Sequence, residues 1–273
     1  MKRLPCTVMI AALLLWAQAS TAQSEQQWTA QLKGRAIPAA VGDRYAEPSA
    51  GLALYFLHGD TTAMPYLVYV PRRYDPAKAS GVVIFLHGAI LARPQYQYSK
   101  IEIADEPIFA AATDWDVLVV FPFAKSDYKW SGKSGAYEDV VSILKEVEQH
   151  YRTNEKQVYI GGISMGGIAT FWYVNHHPEL FKGFYTFSAM PALQDEEIKW
   201  GNITRERRMF SVHAKDDMVF PCADVERIYK QHRAEAPGWY FGTVESGGHR
   251  FIYSGKGPRY VQTELELFLT DRR

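Results

Sequence analysis

A serine, a carboxylate and a histidine occur along this chain in an order and a setting that can do nucleophilic chemistry. Ser164 is the centre of Gly162-Ile163-Ser164-Met165-Gly166. The β-branched and aromatic run Val158-Tyr159-Ile160 leads in, and the helix-forming run Ile168-Ala169-Thr170-Phe171-Trp172 leads out. Strand, sharp turn and helix in that order make a nucleophile elbow. The two glycines remove Cβ atoms that would collide with a neighbouring strand or helix, leaving the Ser164 hydroxyl bare above the sheet.

A hydroxyl is a poor nucleophile at neutral pH and needs a base, itself oriented by a third group. Behind an elbow of this kind the acid and then the histidine follow, each on a loop at the carboxyl end of a strand. His213-Ala214-Lys215-Asp216-Asp217-Met218-Val219-Phe220-Pro221 leaves one predicted strand, and Glu245-Ser246-Gly247-Gly248-His249-Arg250-Phe251 leaves the next. His249 is the expected general base, with Gly247 and Gly248 letting the backbone turn its ring toward Ser164. Two adjacent carboxylates compete for the acid. Asp217, four residues after His213, is preferred, with Asp216 closing a turn through its own backbone; the pair stays open on sequence alone. The chosen carboxylate accepts the Nδ1 proton of His249 and stabilises the imidazolium.

Charge developing on a substrate oxygen needs donors already in place. The amide of Met165, opening the helix after the serine, is one. The amide of Ala89, after the strand that ends Phe85-Leu86-His87-Gly88, is the other. The lookalike His58-Gly59 comes too early in the strand order to face the nucleophile. His87 is expected to brace its loop, His58 and His213 to anchor strand ends, and His150, His176, His177 and His232 to lie in or at the ends of helices. Phe123, Tyr128, Trp130 and Trp172 are the aromatics that can wall an acyl or aryl pocket. Core packing is the default for most of them, but Trp130, in the loop over residues 125–134, and Tyr128 beside it are placed at the substrate. No metal-ligand spacing such as His-Glu-x-x-His occurs, and this chemistry needs no cofactor.

The elements that must carry these loops alternate. Strands are expected over residues 52–58, 66–71, 81–88, 115–121, 158–160, 183–189, 209–213 and 240–244. Helices are expected over 101–113, 137–151, the stretch after Ser164, 223–234 and 258–270. Residues 81–88 read as a continuous apolar run, as a strand covered on both faces requires. The pattern predicts an α/β chain with a doubly wound, mostly parallel sheet and helices on both faces. Residues 190–208 read as a charged, irregular surface insertion.

At 273 residues the chain can bury one large core. Its 30 Lys+Arg balance 30 Asp+Glu, which argues against nucleic acid or an anionic membrane as the main partner. Residues 1–22 have the parts of a secretory signal: Lys2 and Arg3, an apolar stretch, and Ser20-Thr21-Ala22 as a small-residue cleavage site. The apolar stretch is short for a membrane span, so the expected location is secreted or periplasmic, with no stable membrane anchor. Cleavage leaves Cys222 as the one cysteine, without an internal disulfide. Residues 23–64 are expected to be a polar lead-in with an edge strand, and 65–273 the catalytic domain. Nothing in the sequence sets the oligomeric state.

With these residues assembled, the chain resembles the α/β-hydrolase superfamily. Within it, the chain is similar to secreted bacterial phospholipase/carboxylesterase and feruloyl-esterase-like proteins related to polyhydroxybutyrate depolymerases. The resemblance runs from about Pro65 onward. It rests on Tyr69-Val70-Pro71, Phe85-Leu86-His87-Gly88-Ala89, Gly162 to Gly167, His177-Pro178-Glu179-Leu180-Phe181, His213 to Pro221 and Gly247-Gly248-His249. It departs from the family where Arg250 stands in place of the aromatic that commonly follows the histidine, and where Ala214 replaces a glycine. The resemblance implies the α/β-hydrolase fold and a serine esterase with Ser164, Asp217 and His249 as its triad. The expected substrate is a small-molecule or carbohydrate-linked ester. Two alternatives stand beside it: a prolyl-oligopeptidase-type serine peptidase, for whose large gating domain 273 residues leave no room, and a catalytically inactive binding module on the same fold.

Overall fold

In a computed structural model of the chain, the described residues are 50–270, excepting 90–92, 100, 113–114 and 133. The expected signal segment and most of the lead-in lie outside them. Among the described residues, eight strands form one sheet: β1 (Gly51–Phe56), β2 (Pro65–Val70), β3 (Ser80–Leu86), β4 (Val117–Pro122), β5 (Thr153–Ile163), β6 (Gly183–Phe187), β7 (Arg208–Ala214) and β8 (Trp239–Val244). Their order is β1-β2-β4-β3-β5-β6-β7-β8. β1 and β2 pair antiparallel, as do β2 and β4, and every later pairing is parallel.

The α-helices of the described residues flank it: α1 (Pro107–Ala112), α2 (Ala136–His150), α3 (Met165–His176), α4 (Cys222–His232) and α5 (Gly257–Leu269). A strand directs successive side chains to opposite faces, and the central strands use both. Val82, Ile84 and Leu86 of β3 enter one core, with α2 and α3, while Val83 and Phe85 enter the other, with α1 and α5. The unbroken apolar run is therefore two half-cores in one strand. Helices cover both faces, as the sequence predicts.

Departures from the predicted elements have local causes. The helix expected over 101–113 is instead a 3-10 turn, Ile101–Asp105, followed by the short α1. Pro107 lacks an amide hydrogen and opens a new helix there. The strand expected over 52–58 ends at Phe56, where Leu57–Gly59 turns through a left-handed His58 (φ 58°). β5 begins at Thr153, earlier than its apolar part, because its first residues are exposed and carry no hydrophobic signal. Residues 190–208 are irregular but anchored. Trp200 stacks between His232 and Trp239, at 4.5 and 5.1 Å between ring centroids, and Asn175 of α3 donates to the Glu197 carbonyl at 2.8 Å.

Candidate active site

The site forms at the carboxyl ends of the parallel strands, where the loops after β3, β5, β7 and β8 meet. Ser164 joins β5 to α3 with φ 53° and ψ −119°. That left-handed conformation is rare for a residue with a side chain, and it persists only when its surroundings hold it. Here the Ser164 amide donates to Phe187 O of β6 at 2.9 Å, and its carbonyl accepts from Ile168 of α3 at 2.8 Å. A Cβ at Gly162 or at Gly166 would run into the backbone carbonyl of Leu86. Both glycines thus let the elbow sit hard against β3.

The hydroxyl of Ser164 lies 2.8 Å from His249 Nε2. On the other side of the ring, His249 Nδ1 lies 3.0 Å from Asp217 Oδ2 and 3.2 Å from Oδ1. Ser164 donates to Nε2 while Nδ1–H donates to the carboxylate, the tautomer a general base requires. Asp217 has no exposed side-chain surface, yet it is well supplied with donors. Its Oδ1 accepts the amides of Val219 and Phe220, at 2.8 and 3.0 Å, and the His213 Nε2 is 3.2 Å from Oδ2. The same nitrogen of His213 donates to Phe220 O at 2.8 Å, so a buried imidazole pins the acid loop at two points. Burial holds His213 below its ordinary pKa, with the Phe220 carbonyl pulling the other way, and so keeps it neutral.

Asp216, the other candidate acid, points elsewhere. Its carboxylate accepts the amides of Gly248 and Gly247, at 2.8 and 3.2 Å. Those two bonds hold its pKa below the usual carboxylate value and fasten the acid loop to the histidine loop. The glycines present these amides from φ 60° and 124°. Asp216 therefore closes a clamp between two loops rather than a turn within its own.

Met165 is the first residue of α3, and an amide there has no partner inside the helix. Ala89 is exposed in the loop after β3 and lines the same cleft as Ser164. That loop abuts the elbow: a Cβ on Gly88 would be 3.6 Å from the Cβ of Ser164. The loop is braced by His87, whose Nδ1–H donates to Gly88 O at 2.7 Å and whose Nε2 accepts the Ala124 amide at 3.0 Å. Burial drives the His87 pKa down to about 4, so the brace is uncharged.

The cleft over Ser164 has a volume of about 680 Å³. Phe121, Phe123, Ile103, Ile163 and Val219 supply its apolar wall. Of the four aromatics expected there, the structure brings Phe123 to it but not Trp130, Tyr128 or Trp172. Trp130 is 1% exposed and packs behind His87 at 5.6 Å between ring centroids. Tyr128 turns its hydroxyl to Asp139 Oδ2 at 2.9 Å. Both belong to the loop after β4, but Tyr128 turns toward α2 and Trp130 packs against His87 inside the core. Trp172 stacks between Tyr137 and His176, at 4.5 and 4.4 Å. Sequence reasoning missed Arg93, Gln97, Glu106 and Tyr253, which complete the cleft. They come from separate loops and share no motif; Arg250 alone was marked, as a departure after His249. Among the described residues no cluster of three or more His, Cys, Asp or Glu side chains is placed to hold a metal ion.

A family model described as the prolyl oligopeptidase family matches residues 126–192, which include the elbow. No curated protein matches the chain by sequence. Among solved structures, the chain is similar to a thermostable esterase, at 22% identity and a TM-score of 0.59, over 78% of this chain and 60% of that one. It is similar to a ferulic acid esterase, at 18% identity and a TM-score of 0.62, over 81% and 98% of the two chains. A feruloyl esterase module from Clostridium thermocellum, complexed with sinapinate, superposes at 17% identity and a TM-score of 0.61, over 82% and 90%. The chain thus spans 60% of the thermostable esterase's length and nine tenths or more of the other two. The strand order, the bend that carries Ser164 and these neighbours converge on one architecture: the chain has the α/β-hydrolase fold.

Proposed function

We propose that this chain is a serine hydrolase of carboxylic esters, acting through an acyl-enzyme. One observation carries the reading: His249 reaches Ser164 Oγ with one ring nitrogen and Asp217 with the other, at 2.8 and 3.0 Å. Ser164 attacks the ester carbonyl while its proton passes to His249 Nε2, and Asp217 stabilises the imidazolium. The amides of Met165 and Ala89 receive the developing oxyanion, each contributing roughly 3–4 kcal/mol to the transition state. The imidazolium returns its proton to the leaving alcohol. A water then gives a proton to His249 and releases the acid, restoring Ser164. The basic, apolar and small-residue order of residues 1–22 supports export from the cytoplasm before the enzyme acts.

Labelling with a fluorophosphonate, located by peptide mass spectrometry, tests the chemistry. The adduct is expected on Ser164 and absent from Ser164→Ala. A folded wild-type protein that takes no label would overturn the proposal.

The match to the prolyl oligopeptidase family over residues 126–192 keeps a peptidase as the second reading. It shares nucleophile, base and acid, and differs in the leaving group. Turnover of an aminoacyl p-nitroanilide above that of a p-nitrophenyl ester would favour it.

A further inference from the structure

The polar part of the cleft carries a charge bias that the triad does not explain. Arg93 and Arg250 both line it and both are exposed. Neither forms an ion pair within 4.0 Å among the described residues. Among the described residues Arg93 donates to Gln97 Oε1, at 3.3 Å, and Arg250 lies over the ring of Tyr253 at 4.9 Å. The facing groups on the neighbouring segments are Glu106, just before α1, and Tyr253. Burial raises the Glu106 carboxyl to about 7, against the opposing pull of Tyr253 and Arg250. At neutral pH it therefore offsets only part of one guanidinium. Asp217 is buried and committed to His249, so it offsets neither.

A cleft with an apolar wall and two guanidiniums in its polar part suits a ligand with an apolar body and an anionic end. A guanidinium fork fits a carboxylate with two parallel hydrogen bonds. Arg250 directly follows His249 and lines the same cleft as Ser164. We propose that Arg250, assisted by Arg93, binds a carboxylate carried by the ester substrate, so that the enzyme selects esters of acidic molecules over neutral esters of equal size. The inference rests on the esterase reading and adds a substrate class to it.

Matched esters at fixed ionic strength test it. Monomethyl adipate against methyl hexanoate places the carboxylate on the acyl side. Para-acetoxybenzoate against phenyl acetate places it on the alcohol side. In one of the pairs the anionic member is expected to have the higher kcat/KM, by about tenfold, the equivalent of one guanidinium–carboxylate contact. The preference should shrink as salt is raised, shrink with Arg250→Lys or Arg93→Ala, and invert with Arg250→Glu. Circular dichroism would confirm that these surface variants are folded. Equal or better turnover of the neutral ester in both pairs would overturn the proposal, as would an anionic preference unmoved by Arg250→Glu. Failure of the folded enzyme to turn over any of the four esters would sink the esterase reading itself, and this inference with it.

Discussion

Asp216 binds Gly248 across the gap between two loops, with the glycine amide 2.8 Å from the aspartate Oδ1. The next carboxylate along, Asp217, binds His249, the residue after that glycine, through Nδ1. Two adjacent acids thus grip three consecutive residues of the opposite loop, Gly247 and Gly248 by backbone and His249 by side chain.

The acids should separate kinetically. Asp217→Asn keeps the shape but loses the charge that fixes the His249 tautomer, and kcat is expected to fall by roughly 10⁴-fold. Asp216→Asn leaves the triad chemically intact and is expected to lower kcat by about tenfold, through a looser base loop. Steady-state ester hydrolysis decides between them. Equal losses would mean that the clamp and the acid have been misassigned. The Asp216 pKa is lowered in the fold, so what the clamp adds to stability is present above the ordinary aspartate pKa and fades as pH falls below it. Thermal melts of Asp216→Asn against wild type should converge in acid.

His213 is expected to act through Asp217. Replacing it with Phe removes the donor shared by Phe220 O and Asp217 Oδ2, and kcat should drop by about ten- to a hundredfold. KM for a small neutral ester should change little, since His213 does not line the cleft. His213→Asn, which retains a donor, should recover part of kcat. Parallel loss of kcat and of melting temperature in both variants, without that recovery, would reduce His213 to a packing residue.

The neutral brace at His87 makes stability depend on acid. Its folded pKa is about 4, below that of a free imidazole near 6.5. The unfolded chain therefore binds the proton first, and stability is lost as pH falls from about 6.5 toward 4. The gap corresponds to about 3 kcal/mol, with buried His213 adding in the same direction. Urea unfolding of wild type and His87→Gln at several pH values should show a lower but flatter curve for the variant. Identical pH slopes would refute the neutral brace.

Gly166→Ala should be among the most damaging single-methyl additions in the chain. The new Cβ meets the Leu86 and His87 carbonyls, and neither strand nor helix can retreat without spoiling the elbow. A loss of about 3 kcal/mol or more is expected, read as a fall in melting temperature with loss of fluorophosphonate labelling.

Much of the machinery was legible because it is local. The elbow is a contiguous string, the buried strands are contiguous apolar runs, and the acid and base each follow a strand whose end is marked. What was illegible is what depends on direction. Trp130 lies in the right loop and faces the wrong way, since loop membership does not set a side chain's heading. Glu106, Arg93 and Tyr253 reach one cleft from three separate segments, and no spacing in the chain brings them together. Asp216 and Asp217 differ only in rotation about the backbone, which a sequence does not record. The helix broken at Glu106–Pro107 differs in kind, since Pro107 is a local signal that ends one turn and opens the next.

Ser164 hangs from β5, an interior strand, whereas His249 follows β8, the last strand of the sheet. Among the described residues β8 has a hydrogen-bonded neighbour on one side only, and it exposes Tyr240. Margins of this kind open before interiors do. Rising denaturant should therefore detach the base while the sheet's middle still stands, and ester turnover should vanish ahead of the main spectroscopic transition.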